Sequence, residues 1–140
     1  RFMKGSKLQG YSFFRTFGNH VYDILFSIGV RQKIYDLGSG LNMYDTKILE
    51  DEFYIKYKDD LMFNYCMILG SAYYKHKIRY FPILWREDDQ ISNVKMVNQA
   101  VTVLKMLISY TFHKKRFVQA EHREKIIKQY TAKVMWTTKQ

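Results

Sequence analysis

The sequence predicts a helix-rich α/β fold with two or three short strands and a basic helical tail, on three observations. Apolar residues recur at three-and-four spacing over two long stretches, Lys77 to Trp85 alternates with a period of two, and residues 113–140 are strongly cationic. With 140 residues, 47% hydrophobic and 17% aromatic, the chain can bury one core, and this composition excludes a disordered chain.

The elements follow in order. From Tyr11 to Val30 the positions Phe13, Phe14, Phe17, Val21, Ile24, Leu25 and Ile28 mark an amphipathic helix, with Gly29 as its expected end. Gly18 inside it weakens the helix by about 1 kcal/mol relative to Ala and permits close packing. Gly38-Ser39-Gly40 reads as a turn feeding a short strand, Leu41 to Tyr44. Asp45 or Thr46 then caps a short helix ending at Leu49. Asp59 or Asp60 caps a further helix, Leu61 to Tyr73, whose apolar residues lie all round and predict cover on most faces. Pro82 marks the Lys77 to Trp85 strand as an edge or a strand near its end. Ser92 or Asn93 starts a long helix through Val94, Val97, Val101, Leu104, Leu107 and Ile108 to Phe112.

The tail sets Phe117, Val118, Ile126, Ile127, Tyr130, Val134 and Trp136 among basic residues, as an in-plane membrane anchor or a helix packed on the domain would. Val101 to Phe112, the longest apolar run, is too short to span a bilayer and contains Lys105. One cysteine, Cys66, excludes an internal disulfide framework and reads as a small buried hydrophobe. Against 13 acidic residues stand 23 Lys and Arg, a formal charge of +10, so an anionic neighbour is expected: nucleic acid, an acidic membrane surface or a phosphorylated substrate. His20, His76, His113 and His122 are dispersed, without metal-ligand spacing, and no phosphate-loop or dinucleotide glycine pattern is present.

Three ordered segments carry a resemblance. They are Arg1-Phe2-Met3-Lys4-Gly5-Ser6, then Tyr35-Asp36-Leu37-Gly38-Ser39-Gly40 with Leu41 to Tyr44, then Phe81-Pro82-Ile83-Leu84-Trp85-Arg86 with Ser92 and Lys95 beyond. Together they resemble inverting, family-two glycosyltransferases of the dolichol-phosphate mannosyltransferase type, in their "S-R-Y-x-K-G-G", "D-x-x-S-G-F-R-x-Y" and "P-I-x-[FW]-x-x-R, then G-x-S-K" elements. The resemblance covers roughly residues 1–107. It implies the C-terminal half of a GT-A fold, with residues 1–112 as the acceptor-side half of a catalytic domain and 113–140 as a basic amphipathic tail.

The resemblance further implies transfer of a sugar from a nucleotide-sugar donor to a polyprenyl-phosphate or glycan acceptor with inversion. Arg1 and Arg15 match the arginines that hold the acceptor phosphate, with Asn19 in place of a serine. Arg86 matches the arginine over the donor diphosphate, and Ser92 the loop serine. Asp36 and Ser39 match the element lining the acceptor side, and Asp60 is the carboxylate placed like the base of hydroxyl-accepting relatives. The sequence departs from the pattern at Glu87-Asp88-Asp89-Gln90-Ile91, which is longer and acidic, at Asn93 where lysine is usual, and at Asn42 where arginine is common. A divalent metal, Mg or Mn, is expected in the whole enzyme through an upstream D-x-D, with no metal site in these residues. The isolated chain is accordingly expected to be inactive. A cytoplasmic location, peripheral at the inner membrane face, follows, with no nucleic acid among the partners, and an open sheet edge predicts homodimerisation.

A basic, non-enzymatic binding module for nucleic acid, an acidic membrane surface or a protein partner is the alternative. It is suggested by Tyr54-Ile55-Lys56-Tyr57-Lys58 and Tyr73-Tyr74-Lys75-His76-Lys77.

Overall fold

The computed structural model describes residues 1–86 and 96–126. These form a mixed structure of five helices and a two-stranded parallel sheet, in the order β1 (Lys7–Gln9), α1 (Phe13–Val30), α2 (Thr46–Leu49), α3 (Phe63–Tyr73), β2 (Leu84–Arg86), α4 (Met96–Phe112) and α5 (Lys114–Gln119). The expected start of α4 at Ser92 or Asn93 lies outside the described residues.

Helix α3 is the centre. None of its residues is exposed, as an all-round apolar sequence requires, and Cys66, Met67 and Leu69 join Phe26, Leu37, Tyr57, Val103, Tyr110 and Phe117 in one core. Burial raises the Cys66 thiol to about 11, so it stays protonated and serves as packing. Tyr57 is pressed against Gly70 so closely that a Cβ there would collide with the phenol ring. Its hydroxyl is buried with no hydrogen-bond partner, and its pKa is pushed upward, by burial above all.

Helix α1 turns its apolar row outward. Phe13, Phe14, Phe17, Ile24 and Ile28 are exposed, whereas Asp23, Phe26 and Val30 face the core. Gly29 does not end the helix. It lies inside, against α4, where a Cβ would stand 2.7 Å from Leu107 Cδ1. Arg31 instead takes the left-handed position (φ 58°), and the main-chain N–H groups of Arg31 and Gln32 donate back to Ile28 and Ser27.

Asp45 caps α2 as expected, accepting from the Lys47 N–H at 3.0 Å. Leu41 to Tyr44 forms no strand. Ser39 and Asn42 side chains bind the local main chain there, Ser39 Oγ accepting from Leu41 N and Asn42 Nδ2 donating to Ser39 O, which competes with any ladder. Of Lys77 to Trp85, only the end enters a sheet, because its partner β1 is three residues long and pairs Lys7, Leu8 and Gln9 with Leu84, Trp85 and Arg86. Gly5, at φ 96°, turns the chain into β1 beside Pro82.

The helix does not run unbroken through the tail. The chain leaves helical geometry at His113 (ψ 51°) and again at Ala120 (ψ 152°), and the α5 side chains Phe117 and Val118 are buried in the core. Ile126 is exposed, and Ile127, Tyr130, Val134 and Trp136 lie outside the described residues. No described helix is long and apolar enough to cross a membrane.

Tyr57→Phe is expected to stabilise the fold by about 1 kcal/mol, since it removes a buried hydroxyl without a partner. Gly70→Ala is expected to cost about 1–3 kcal/mol through overpacking. Urea-denaturation midpoints of the two variants should move in opposite directions.

Candidate functional site

The polar centre of the molecule is a relay of two carboxylates. Asp23, the one acidic residue of α1, accepts the main-chain N–H groups of Asp36 (2.9 Å) and Leu37 (3.1 Å). This bridges the helix to the turn that follows it and holds Asp36 at φ 52°, in the left-handed region. Asp36 then grips Arg1: Nε donates to Oδ2 and Nη2 to Oδ1, both at 2.7 Å, in the bidentate fork that guanidinium and carboxylate favour. The Arg1 guanidinium also lies over Trp85, 5.0 Å from the ring centroid, and beside Phe2 and Tyr11 at 5.6 Å.

The two carboxyl groups respond in opposite directions. Burial raises the pKa of Asp23, and the hydrogen bonds from Asp36 and Leu37 offset this only in part. Burial, the largest single influence, would also raise Asp36, but the Arg1 guanidinium and α-ammonium, both bonded to the carboxylate, together outweigh it and hold the carboxyl below its ordinary value.

Around this relay open two cavities that share Arg1. One, of about 420 Å³, is lined by Arg1, Arg15, Asn19, Gly38, Gly40 and the rings of Tyr11, Phe14, Tyr22 and Tyr65. Among the described residues no Asp or Glu lines it. The other, of about 540 Å³, takes in Asp36, Ser39, Asn42, Ser71, His76 and Lys77.

Arg1, Arg15 and Asn19, distant from Gly38 in sequence, thus meet at one cavity. Arg15 stands over the Tyr11 ring at 5.3 Å. Asn19 uses its amide to donate to Tyr11 Oη (3.1 Å) and Arg15 O (2.7 Å), so it fixes the ring on which both arginines lean. Ser39 and Asp36 line the second cavity.

The remaining expected residues stand elsewhere. Asp60 lines neither cavity. Its Oδ1 accepts the Met62 N–H at 2.6 Å, capping the turn into α3, and its other oxygen is 3.7 Å from Lys58 Nζ. Arg86 is exposed at the end of β2 and lines neither cavity. Ser92 lies outside the described residues. Among the described residues no three His, Cys, Asp or Glu side chains converge as metal donors.

Sequence reasoning missed Asp23, Tyr11 and Tyr65. Asp23 was detectable, being a lone acid in a long apolar helix, on the face away from the apolar row. Nothing local marks Tyr11 or Tyr65, which matter only through the packing that brings them to Arg1. In the aromatic-lysine segments Tyr57 is buried, while Tyr74, 42% exposed, packs its ring against Phe53, Tyr73 and His76.

Asp36→Asn would strand the Arg1 charge in a buried site, at a cost on the order of 3 kcal/mol near neutral pH. Because the folded pKa of Asp36 lies below its unfolded value, its stabilisation is complete above about pH 4 and is lost as pH falls through the folded value. The gap between wild-type and variant urea stabilities is therefore expected to close in acid; a gap constant down to pH 2 would contradict this. No protein-family model matches the chain, and neither a curated protein nor a solved structure matches it.

Proposed function

We propose that the chain forms the acceptor side of an inverting glycosyltransferase of the GT-A type, which moves a sugar from a nucleotide-sugar donor to a polyprenyl phosphate. The observation that carries this reading is the 420 Å³ cavity, onto which Arg1 and Arg15 converge. Such a site suits an anion on electrostatic grounds, and guanidinium groups suit a phosphate in particular because their planar fork matches its oxygens. Tyr11, Phe14, Tyr22 and Leu61 give the same cavity an apolar wall for a hydrocarbon chain. Open turn geometry supports it too, since a Cβ on Gly40 would meet nothing within 4 Å, and Gly38 sits against the Arg1 guanidinium.

A phosphate acceptor also fits the position of Asp60. In the transfer an anionic phosphate oxygen attacks the anomeric carbon, the new C–O bond forms opposite the departing nucleoside diphosphate, and no proton need be removed. A sugar-hydroxyl acceptor would require a base, and Asp60 is occupied as a turn cap away from both cavities. The donor diphosphate falls to Arg86 at the end of β2, while Asp36 holds Arg1 in place.

Calorimetric titration with farnesyl phosphate and with farnesol provides the test. Farnesyl phosphate is expected to bind at least about tenfold more tightly, and Arg15→Ala to erase most of that difference, as loss of a charge-assisted hydrogen bond does. Equal affinities for the alcohol and its phosphate would sink the proposal.

A further inference from the structure

Helices α1 and α4 lie side by side and run in the same direction. Tyr22 Oη donates to Ala100 O at 3.0 Å, and one seam further along, Gly29 abuts Leu107 and Thr111. From these contacts, a step of about 100° per residue fixes where every other side chain points. On α1, Phe17, Ile24 and Ile28 fall on the side away from the core, and on α4 Leu104, Ile108 and Phe112 fall on that same side. All six are exposed, from 38% at Leu104 to 75% at Phe112. The two rows therefore form one apolar surface two helices wide, whereas single exposed hydrophobic residues would need no explanation.

Its charges are one-sided. Among the described residues of α1, α4 and α5 the sole carboxylate is Asp23, which is buried on the opposite side. Arg31 and Lys105 are exposed at the two outer edges of the apolar surface, and Lys115 and Arg116 are exposed on α5 beyond it. Among the described residues, exposed carboxylates gather instead between Asp45 and Asp60 and at Glu121 and Glu124.

We propose that this α1–α4 face docks in the plane of an anionic lipid bilayer, with the apolar rows at the acyl boundary and the flanking cations among the headgroups. Charge decides between occupants. A second copy would bring cations against cations on a chain of formal charge +10, whereas anionic headgroups neutralise them. This membrane contact lies on two helices of the domain, whereas Phe117 and Val118 of the tail are buried in the core. Phe14 belongs both to the outward side of α1 and to the lining of the cavity with Arg1 and Arg15, so a docked molecule opens that cavity at the bilayer surface. This deepens the acceptor reading, on which it rests for its purpose and not for its geometry.

The chain is expected to co-sediment with vesicles of equal phosphatidylglycerol and phosphatidylcholine, less so at high salt, and hardly at all with phosphatidylcholine alone. Phe17→Ser combined with Ile108→Ser should weaken partitioning at least about tenfold. An environment-sensitive dye on Ile24→Cys should shift to the blue on anionic vesicles, while one on Glu52→Cys should not. Vesicle binding indifferent to the double substitution would overturn the proposal. So would a dimer that the same double substitution dissolves, or an Ile24→Cys dye already shifted without lipid. Arg15→Ala separates the two readings: it is expected to lose farnesyl phosphate and keep vesicle binding, whereas the double substitution does the reverse.

Discussion

Every segment that shapes the candidate site is tied to the buried carboxylate of Asp23. Both of its oxygens accept main-chain N–H groups, so the turn after α1 is held to the flank of that helix and not to its end. That places Asp36 where it can take Arg1, and Arg1 carries with it the segment that becomes β1 and pairs with β2. Two buried acids 13 residues apart thus perform different work. One organises backbone and its pKa is raised, while the other neutralises a guanidinium and its pKa is lowered.

The core explains why this relay is rigid. Helix α3 is buried from every side, and its neighbours approach it and one another through positions without side chains. Tyr57 closes on Gly70, and Leu107 closes on Gly29. Close approach of this kind tolerates little change of volume, so the backbone around the relay has few alternatives. Burial of Phe117 and Val118 extends the same core into α5, and His122 continues it, its ring against Phe117 and its N–H donating to Lys56 O at 2.8 Å.

The parts of the fold that were legible were those whose information is local. Capping by Asp45, the end of α3 at Tyr73 and the end of α4 at Phe112 follow from short-range chemistry, and the structure has them there, although α3 starts at Phe63 and not at Leu61. Strand β1 was not legible, because three residues with one apolar position fall below any periodicity. Its existence depends on Trp85 and Arg86, which lie 77 positions further along the chain from their partners Leu8 and Gln9. Gly29 was misread because a helix-ending glycine and a packing glycine look alike in sequence; only the presence of Leu107 distinguishes them. The row Phe17, Ile24 and Ile28 was read correctly as an apolar face, but periodicity reports that a face is apolar and not which way it turns. For the site, the meeting of Arg1, Arg15 and Asn19 was expected from the resemblance, whereas Asp23, which makes it possible, was not.

The pairing of Arg1 with Asp36 also sets the strength of the proposed acceptor site. Two uncompensated guanidinium groups would hold a phosphate more tightly both before transfer and after it, when it has become a diester. Asp36 cancels one of the positive charges that Arg1 brings to the cavity, so the field there is weaker than two bare guanidinium groups would make it. The acceptor, a monoester, carries about two negative charges near neutral pH, and the product carries one. A positively charged site loses about half its Coulombic attraction when the acceptor becomes product, whatever its own charge, so binding weakens at the step where release is required. The polyprenyl chain changes nothing in that transfer, and its contacts with Tyr11, Phe14 and Tyr22 would hold acceptor and product alike. Discrimination between the two therefore rests on the charge that the phosphate loses on transfer, and Asp23 holds Asp36 and Arg1 in place from beneath.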